Sequence, residues 1–249
     1  MVAQCYTVAF EGVDARMVEV QCALSPGLPH FSLVGLPDKA VSEAKERVRA
    51  ALNALSIALP SRRITINLSP ADLPKEGSHF DLPIALALLA AIEILPRDAV
   101  SELVALGELA LDGTLVPVVG ALPAALAAAT AERTLVCPEA SGPEAAWVGS
   151  IPVVAPKSLH AVIQHLNGAK PVEISQPGLV HDTSGPCADL SEVKGQERAK
   201  RALEVAAAGR HHLLMVGTPG SGKSMLAARM PGILPDLSPE EALETSTIH

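Results

Sequence analysis

Gly217, Thr218, Pro219, Gly220, Ser221, Gly222, Lys223 and Ser224 stand in an order that can hold a triphosphate. Glycines at 217, 220 and 222 let the backbone curl until its amides point inward at phosphate oxygens. Lys223 is expected to reach the β and γ phosphates, and Ser224 to place its hydroxyl on the magnesium ion that bridges them. ATP and Mg2+ are therefore the implied cofactors, with all eight residues in contact with nucleotide and Ser224 as the metal contact. A glycine-rich turn that binds nothing is the bland alternative, and the full eight-residue pattern between an apolar run and a helix argues against it. Hydrolysis asks for more: an acidic residue at a strand end, and usually an arginine from a neighbouring subunit. The 25 residues after Ser224 offer no such strand, because Glu240, Glu241 and Glu244 lie in a proline-led helical stretch. The segment reads as the opening of a longer ATPase domain that by itself binds nucleotide poorly, and no catalytic residue is assigned in it.

A phosphate cradle works when a strand delivers the loop to a helix. His212–Val216 reads as that strand, and helical residues resume at Lys223. Upstream, Val193, Ala199, Ala202, Leu203, Ala206 and Ala207 make a helical stripe over 191–209, with Gly209 as its stop. The front of the chain is organised differently. Residues 4–10, 16–24 and 29–34 read as strands, and a helix follows from Pro37, with Val41, Ala44, Val48, Leu52 and Leu55 on one face. Residues 64–68 alternate like a strand, and an apolar helix begins after Asp81, its expected cap, with Pro83 in the first turn. Leu103–Leu111 and Thr114–Val119 flank Asp112-Gly113 as a hairpin. Residues 121–131 read as helical, residues 135–137 and 152–154 as short strands, and the last helix ends near Leu166. Glycines and prolines between 167 and 190 mark a linker.

The chain has 249 residues, enough for two ordinary domains. The division expected is 1–168, a linker over 169–190, and a second unit over 191–249. The longest apolar run, Leu82–Ile92, is closed by Asp81 and Glu93 and falls short of the roughly 20 residues a bilayer span needs. No basic segment precedes an apolar one at the N-terminus, so a cytoplasmic protein without membrane attachment is expected. Cys5, Cys22, Cys137 and Cys187 have no metal-ligand spacing and read as buried thiols. His211-His212 has no companion ligand. Net charge is −8, and the basic stretch over 37–63 reads as a solvated helix face with Glu43 and Arg47 as an i,i+4 pair. Five aromatics, Tyr6, Phe10, Phe31, Phe80 and Trp147, are too few for a base-stacking platform.

The run Asp189-Leu-Ser-Glu-Val-Lys-Gly-Gln-Glu197, followed by the phosphate loop, resembles the ComM/YifB family of magnesium-chelatase-like AAA+ ATPases. Phe31–Ala40, Arg63–Pro70, Leu73–Ala85 and Gly107–Val116 resemble the same family's front half. The resemblance implies an α/β (α+β) fold: a ribosomal-S5-domain-2-like, Lon-protease-like domain followed by a truncated AAA+ domain. It also implies a hexameric motor and DNA as partner, with branch migration during recombination and natural transformation. A magnesium-chelatase-type ATPase subunit and a protein-interaction module without motor activity are the alternatives. In Lon-type enzymes the loop after a Pro-Lys-Asp-Gly stretch delivers a nucleophilic serine, and a lysine after a Gly-Gly turn takes its proton. Aligned on Pro74-Lys75-Glu76-Gly77, the serine position falls at His79 and the lysine position at about Pro123, so the dyad is absent. Ser78 with Lys75 is the one substitute pair, and a polar loop explains both residues without catalysis.

Overall fold

The computed structural model describes residues 2–178 and 188–246. The chain forms two compact units that divide between Gly178 and Leu179, and each is described by itself.

The first unit is a mixed α/β fold. Strands β1 (Val2–Glu11) and β2 (Asp14–Ser25) form a long antiparallel hairpin, followed by β3 (His30–Val34), helix α1 (Lys39–Ala54) and β4 (Arg63–Ser69). A 3-10 turn over Ser78–Phe80 leads into α2 (Asp81–Ala91), then α3 (Arg97–Ser101), β5 (Leu103–Ala105), β6 (Glu108–Leu109) and β7 (Leu115–Val116). Helix α4 (Ala121–Thr130), β8 (Thr134–Val136), α5 (Gly142–Ala145), β9 (Val153–Val154) and α6 (Leu159–Leu166) complete it. One sheet runs in the order β3-β4-β2-β1-β5-β8-β9, and β6 with β7 makes a separate ribbon. The expected hairpin around Asp112-Gly113 is thus only the ribbon, because Leu103–Ala105 instead inserts between β1 and β8.

Alternation along β1 distributes the core. Ala3, Cys5 and Ala9 join one cluster with α1, α2 and α6, while Val8 joins another with α4 and β8. Helix α2 has no polar stripe and is buried at every position, the environment such a helix requires. No helix among the described residues is long and apolar enough to cross a membrane. Cys5, Cys22 and Cys137 are buried free thiols, whose pKa values burial pushes up to about 12; Cys187 lies outside the described residues.

Asp81 departs from its expected role as helix cap: it is the first residue of α2 and makes no cap bond. Its carboxylate, with no exposure, instead receives Arg47 Nε at 2.6 Å, Arg47 Nη2 at 2.9 Å and the Leu109 amide at 3.0 Å. Arg47 is correspondingly not a solvated helix residue; its side chain is 20% exposed and Glu43 is a distant second partner at 4.0 Å. Asp81 hydrogen bonding holds the Arg47 guanidinium above its ordinary pKa. Burial pushes the Asp81 carboxyl up, and Arg47 and the Leu109 amide pull against it. Asp38, not Pro37, opens α1, its Oδ1 accepting from Val41 N at 2.7 Å.

The expected linker also changes meaning. Ser175 N donates to Val153 O at 2.8 Å and Gly178 N to Pro143 O at 3.0 Å, so residues 169–178 are tied to the first unit. Residues 179–187 of that linker lie outside the described residues.

The second unit holds α7 (Glu197–Gly209), α8 (Lys223–Ala227) and α9 (Pro239–Ser246) around Leu190, Val193, Leu203 and Leu226. Helix α7 starts six residues later than the stripe predicts, because Gly195 (φ 70°) and Gln196 (φ 54°) are left-handed and cannot continue a helix from Ser191. His212–Val216 is in no strand, and Leu214 and Val216 are 87% and 88% exposed. A strand exists only through hydrogen bonds to a neighbour, and no described residues provide one here.

Replacing Arg47 with Met should lower unfolding stability by about 3–5 kcal/mol in urea titration, since it strands a buried carboxylate. Adding Asp81→Leu should recover part of that loss; a double variant no more stable than the single one would refute the ion pair.

Candidate functional site

The phosphate-loop sequence forms a tight wrap around its own lysine. Gly220 (φ 81°) and Gly222 (φ 87°) adopt left-handed conformations that side chains resist, and α8 begins directly after them. Ser221 N donates to Thr218 O at 3.3 Å. Lys223 Nζ donates to Gly217 O at 2.8 Å, Thr218 O at 2.9 Å and Ser221 Oγ at 3.3 Å. The structure therefore brings Gly217, Thr218, Ser221 and Lys223 together, places Pro219 and Gly220 at the turn, and leaves Ser224 exposed at the next position. The strand expected to deliver the loop is the missing part of the pattern.

The first unit carries a second concentration of polar groups. A cleft of about 750 Å³ is lined by Phe10, Asp38, Gly77, Ser78, His79 and Pro123, among others. His79 and Pro123, far apart in sequence, thus share one cleft. His79 is buried; its Nε2 donates to Val8 O at 2.9 Å, and its ring lies 5.2 Å from Phe10 and 4.4 Å from Phe80. Ser78 and Lys75 do not form a pair. The Ser78 hydroxyl donates to the Glu108 carboxylate, whereas the buried Lys75 ammonium donates to Pro70 O. Burial lowers the Lys75 pKa, with Asp72 opposing.

Two family models match the chain: "Subunit ChlI of Mg-chelatase" over residues 18–141, and "Magnesium chelatase, subunit ChlI" over residues 189–249. Competence protein ComM of Haemophilus influenzae is 44% identical over 247 residues, covering 98% of this chain and 48% of that protein. The uncharacterized protein YifB of Escherichia coli is 44% identical over 249 residues, with the same 98% and 48% coverage. The chain belongs to the ComM/YifB family of magnesium-chelatase-like AAA+ ATPases. It spans about half the length of the curated relatives it matches. An archaeal Lon protease of Archaeoglobus fulgidus is 39% identical over 62 residues, a quarter (25%) of this chain.

In this ComM/YifB-family chain the residue types are those that would hold a magnesium nucleotide, but the Gly217 and Thr218 carbonyls, and not the amides expected from the sequence, face the Lys223 ammonium. An ammonium sits among loop carbonyls, glycines hold the backbone turns, and a hydroxyl follows the lysine. Among the described residues no group of three or more His, Cys, Asp or Glu could hold a metal by itself. His211 and His212 line a shallow pocket with Arg198 and Arg201. Motif reading missed three contributors. Gln196 and Arg229 touch the loop and its helix, and Glu108 takes the Ser78 hydroxyl. Gln196 lies in the run that carries the family likeness, Arg229 and Glu108 stand outside the phosphate-loop motif, and the partners are 25, 4 and 30 residues away.

Burial holds the His79 pKa below its ordinary 6.5, although the Val8 carbonyl and Asp38 favour the charged ring. The unfolded chain therefore takes up this proton first, and stability is lost as pH falls from about 6.5 toward the folded-state value. His79→Gln should flatten that acid limb: between pH 7 and 5 its urea midpoint should fall less than the parent's, and an equal fall would remove His79 from the account.

Proposed function

We propose that this chain carries the nucleotide-binding loop of an ATP-driven motor, with Gly217–Ser224 as the binding residues and Mg2+ held through Ser224 and the nucleotide. The observation that carries the reading is the Lys223 ammonium, already drawn into the loop by two backbone carbonyls. Those carbonyls are weaker partners for a cation than phosphate oxygens. Nucleotide binding then exchanges them for phosphate, with Lys223 reaching the β and γ groups and Ser224 orienting the metal. Bound magnesium supplies charge neutralisation of the triphosphate.

The partner in this reading is DNA, and the assembly a hexamer, supported by membership of the family that includes Competence protein ComM. Branched DNA is the substrate this suggests. With few aromatics and a net charge of −8, contact would run through phosphates to local basic groups, so affinity should fall steeply with salt. The first unit is read as a Lon-like, ribosomal-S5-domain-2-like domain without peptidase chemistry, since His79 is locked by Val8 and Phe80 and Pro123 has no base. A second reading, a metal-chelatase subunit, is favoured by the descriptions of both matching family models.

Turnover of ATP by the intact protein, measured with and without branched DNA, separates the two. Stimulation by DNA is the expected result, and unstimulated turnover supports the chelatase reading. Lys223→Ala should weaken magnesium-ATP binding at least about tenfold in calorimetry, the loss of a charge-assisted contact. Unchanged heat in that variant would end the nucleotide reading, and DNA binding that ignores salt would end the phosphate-contact one.

A further inference from the structure

The cleft of the first unit holds polar groups that nucleotide binding leaves unused. Its walls are the turn between β1 and β2, the loop into α2, and the connection from β7 to α4. His79 is 5% exposed and gives its Nε2 proton to Val8 O. Burial favours the neutral ring, so Nδ1 carries a lone pair, and no described residue donates to it. That nitrogen lies beside Gly77 on the cleft wall: a Cβ built there would stand 3.1 Å from Nδ1, so a side chain at 77 would cover the acceptor.

The β7–α4 wall is backbone without partners. Val118 and Val119 make no backbone hydrogen bond among the described residues, although each has a donor and an acceptor to satisfy. Gly120 (φ 92°) follows, and a Cβ there would strike the Phe10 ring at 2.4 Å, so only glycine lets this wall lie so close to β1. Val119 is 93% exposed and Val13, in the β1–β2 turn, 49%. A small apolar molecule would leave the backbone groups and the imidazole unmet, whereas an extended chain offers N–H and C=O groups at regular spacing. Charge narrows the choice. Asp38 and Glu76 line the cleft, and among the described residues no lysine or arginine does. Asp38 already accepts from the Val41 and Gly77 amides, but Glu76 is exposed and pairs with no cation among the described residues.

We propose that this cleft binds an extended, unfolded segment of a partner protein in which basic and apolar side chains alternate. The segment's backbone pairs with Val118 and Val119, one of its amides donates to His79 Nδ1, an apolar side chain packs on Val13 and Val119, and a basic one meets Glu76. Peptide binding here is independent of the phosphate loop.

Fluorescence anisotropy of the intact protein with a dye-labelled peptide of four Lys-Val repeats tests this. The Lys-Val peptide should bind, and a fully N-methylated copy, which keeps the side chains and loses the amide donors, should bind at least about tenfold more weakly. A peptide of four Glu-Val repeats should be weaker still, since it meets Glu76 with like charge. Val119→Ser and Glu76→Lys change exposed side chains and should leave the urea midpoint unchanged, while each weakens the Lys-Val peptide by about three- to tenfold. Binding that survives both substitutions would place the peptide elsewhere on a chain of net charge −8 and overturn the proposal. Equal affinity for the N-methylated peptide would overturn it as well. A cleft filled by a second copy of the chain would show as dimers in sedimentation with no peptide bound, and that result too would end the peptide assignment.

Discussion

The first unit turns on one buried ion pair. Asp81 opens a helix whose every position is buried, so that end has no water to satisfy a carboxylate. Arg47 from α1 and the Leu109 amide from β6 meet it there. Three elements separated by 34 and 28 residues are pinned at a single point. The pin sets where the 3-10 turn before α2 must run, and with it Gly77, Ser78 and His79. The cleft lined by these residues follows from this geometry.

That cleft gathers His79 and Pro123 from distant parts of the chain. His79 Nε2 donates to the Val8 carbonyl, and its ring packs beside Phe10 and Phe80. Ser78 finds the Glu108 carboxylate, and Lys75 donates to the Pro70 carbonyl.

The second unit shows what a short motif can organise. Glycines at 220 and 222 permit the turns, and Lys223 draws the Gly217 and Thr218 carbonyls around itself. Among the described residues the core cluster beside the loop is small, made of Leu190, Val193, Leu203 and Leu226. Leu214 and Val216 stay exposed for want of a strand to pair with.

Local chemistry was legible in the residues alone. Apolar and β-branched residues between turn signals marked β1 and β2, alternation marked β4, and the unbroken run after Asp81 marked a buried helix, since each of these depends on neighbours within a few positions. What depended on distant partners was hidden. Arg47 resembled any solvated helix residue until Asp81 was placed beside it, Leu103–Ala105 was indistinguishable from the start of a hairpin, and residues 169–178 looked like a linker. His212–Val216 has strand composition yet forms no strand, because a ladder is a property of two segments and composition describes one. Gln196 and Arg229 gain their contacts only when the chain folds back on itself, and no spacing rule encodes a contact made across that fold.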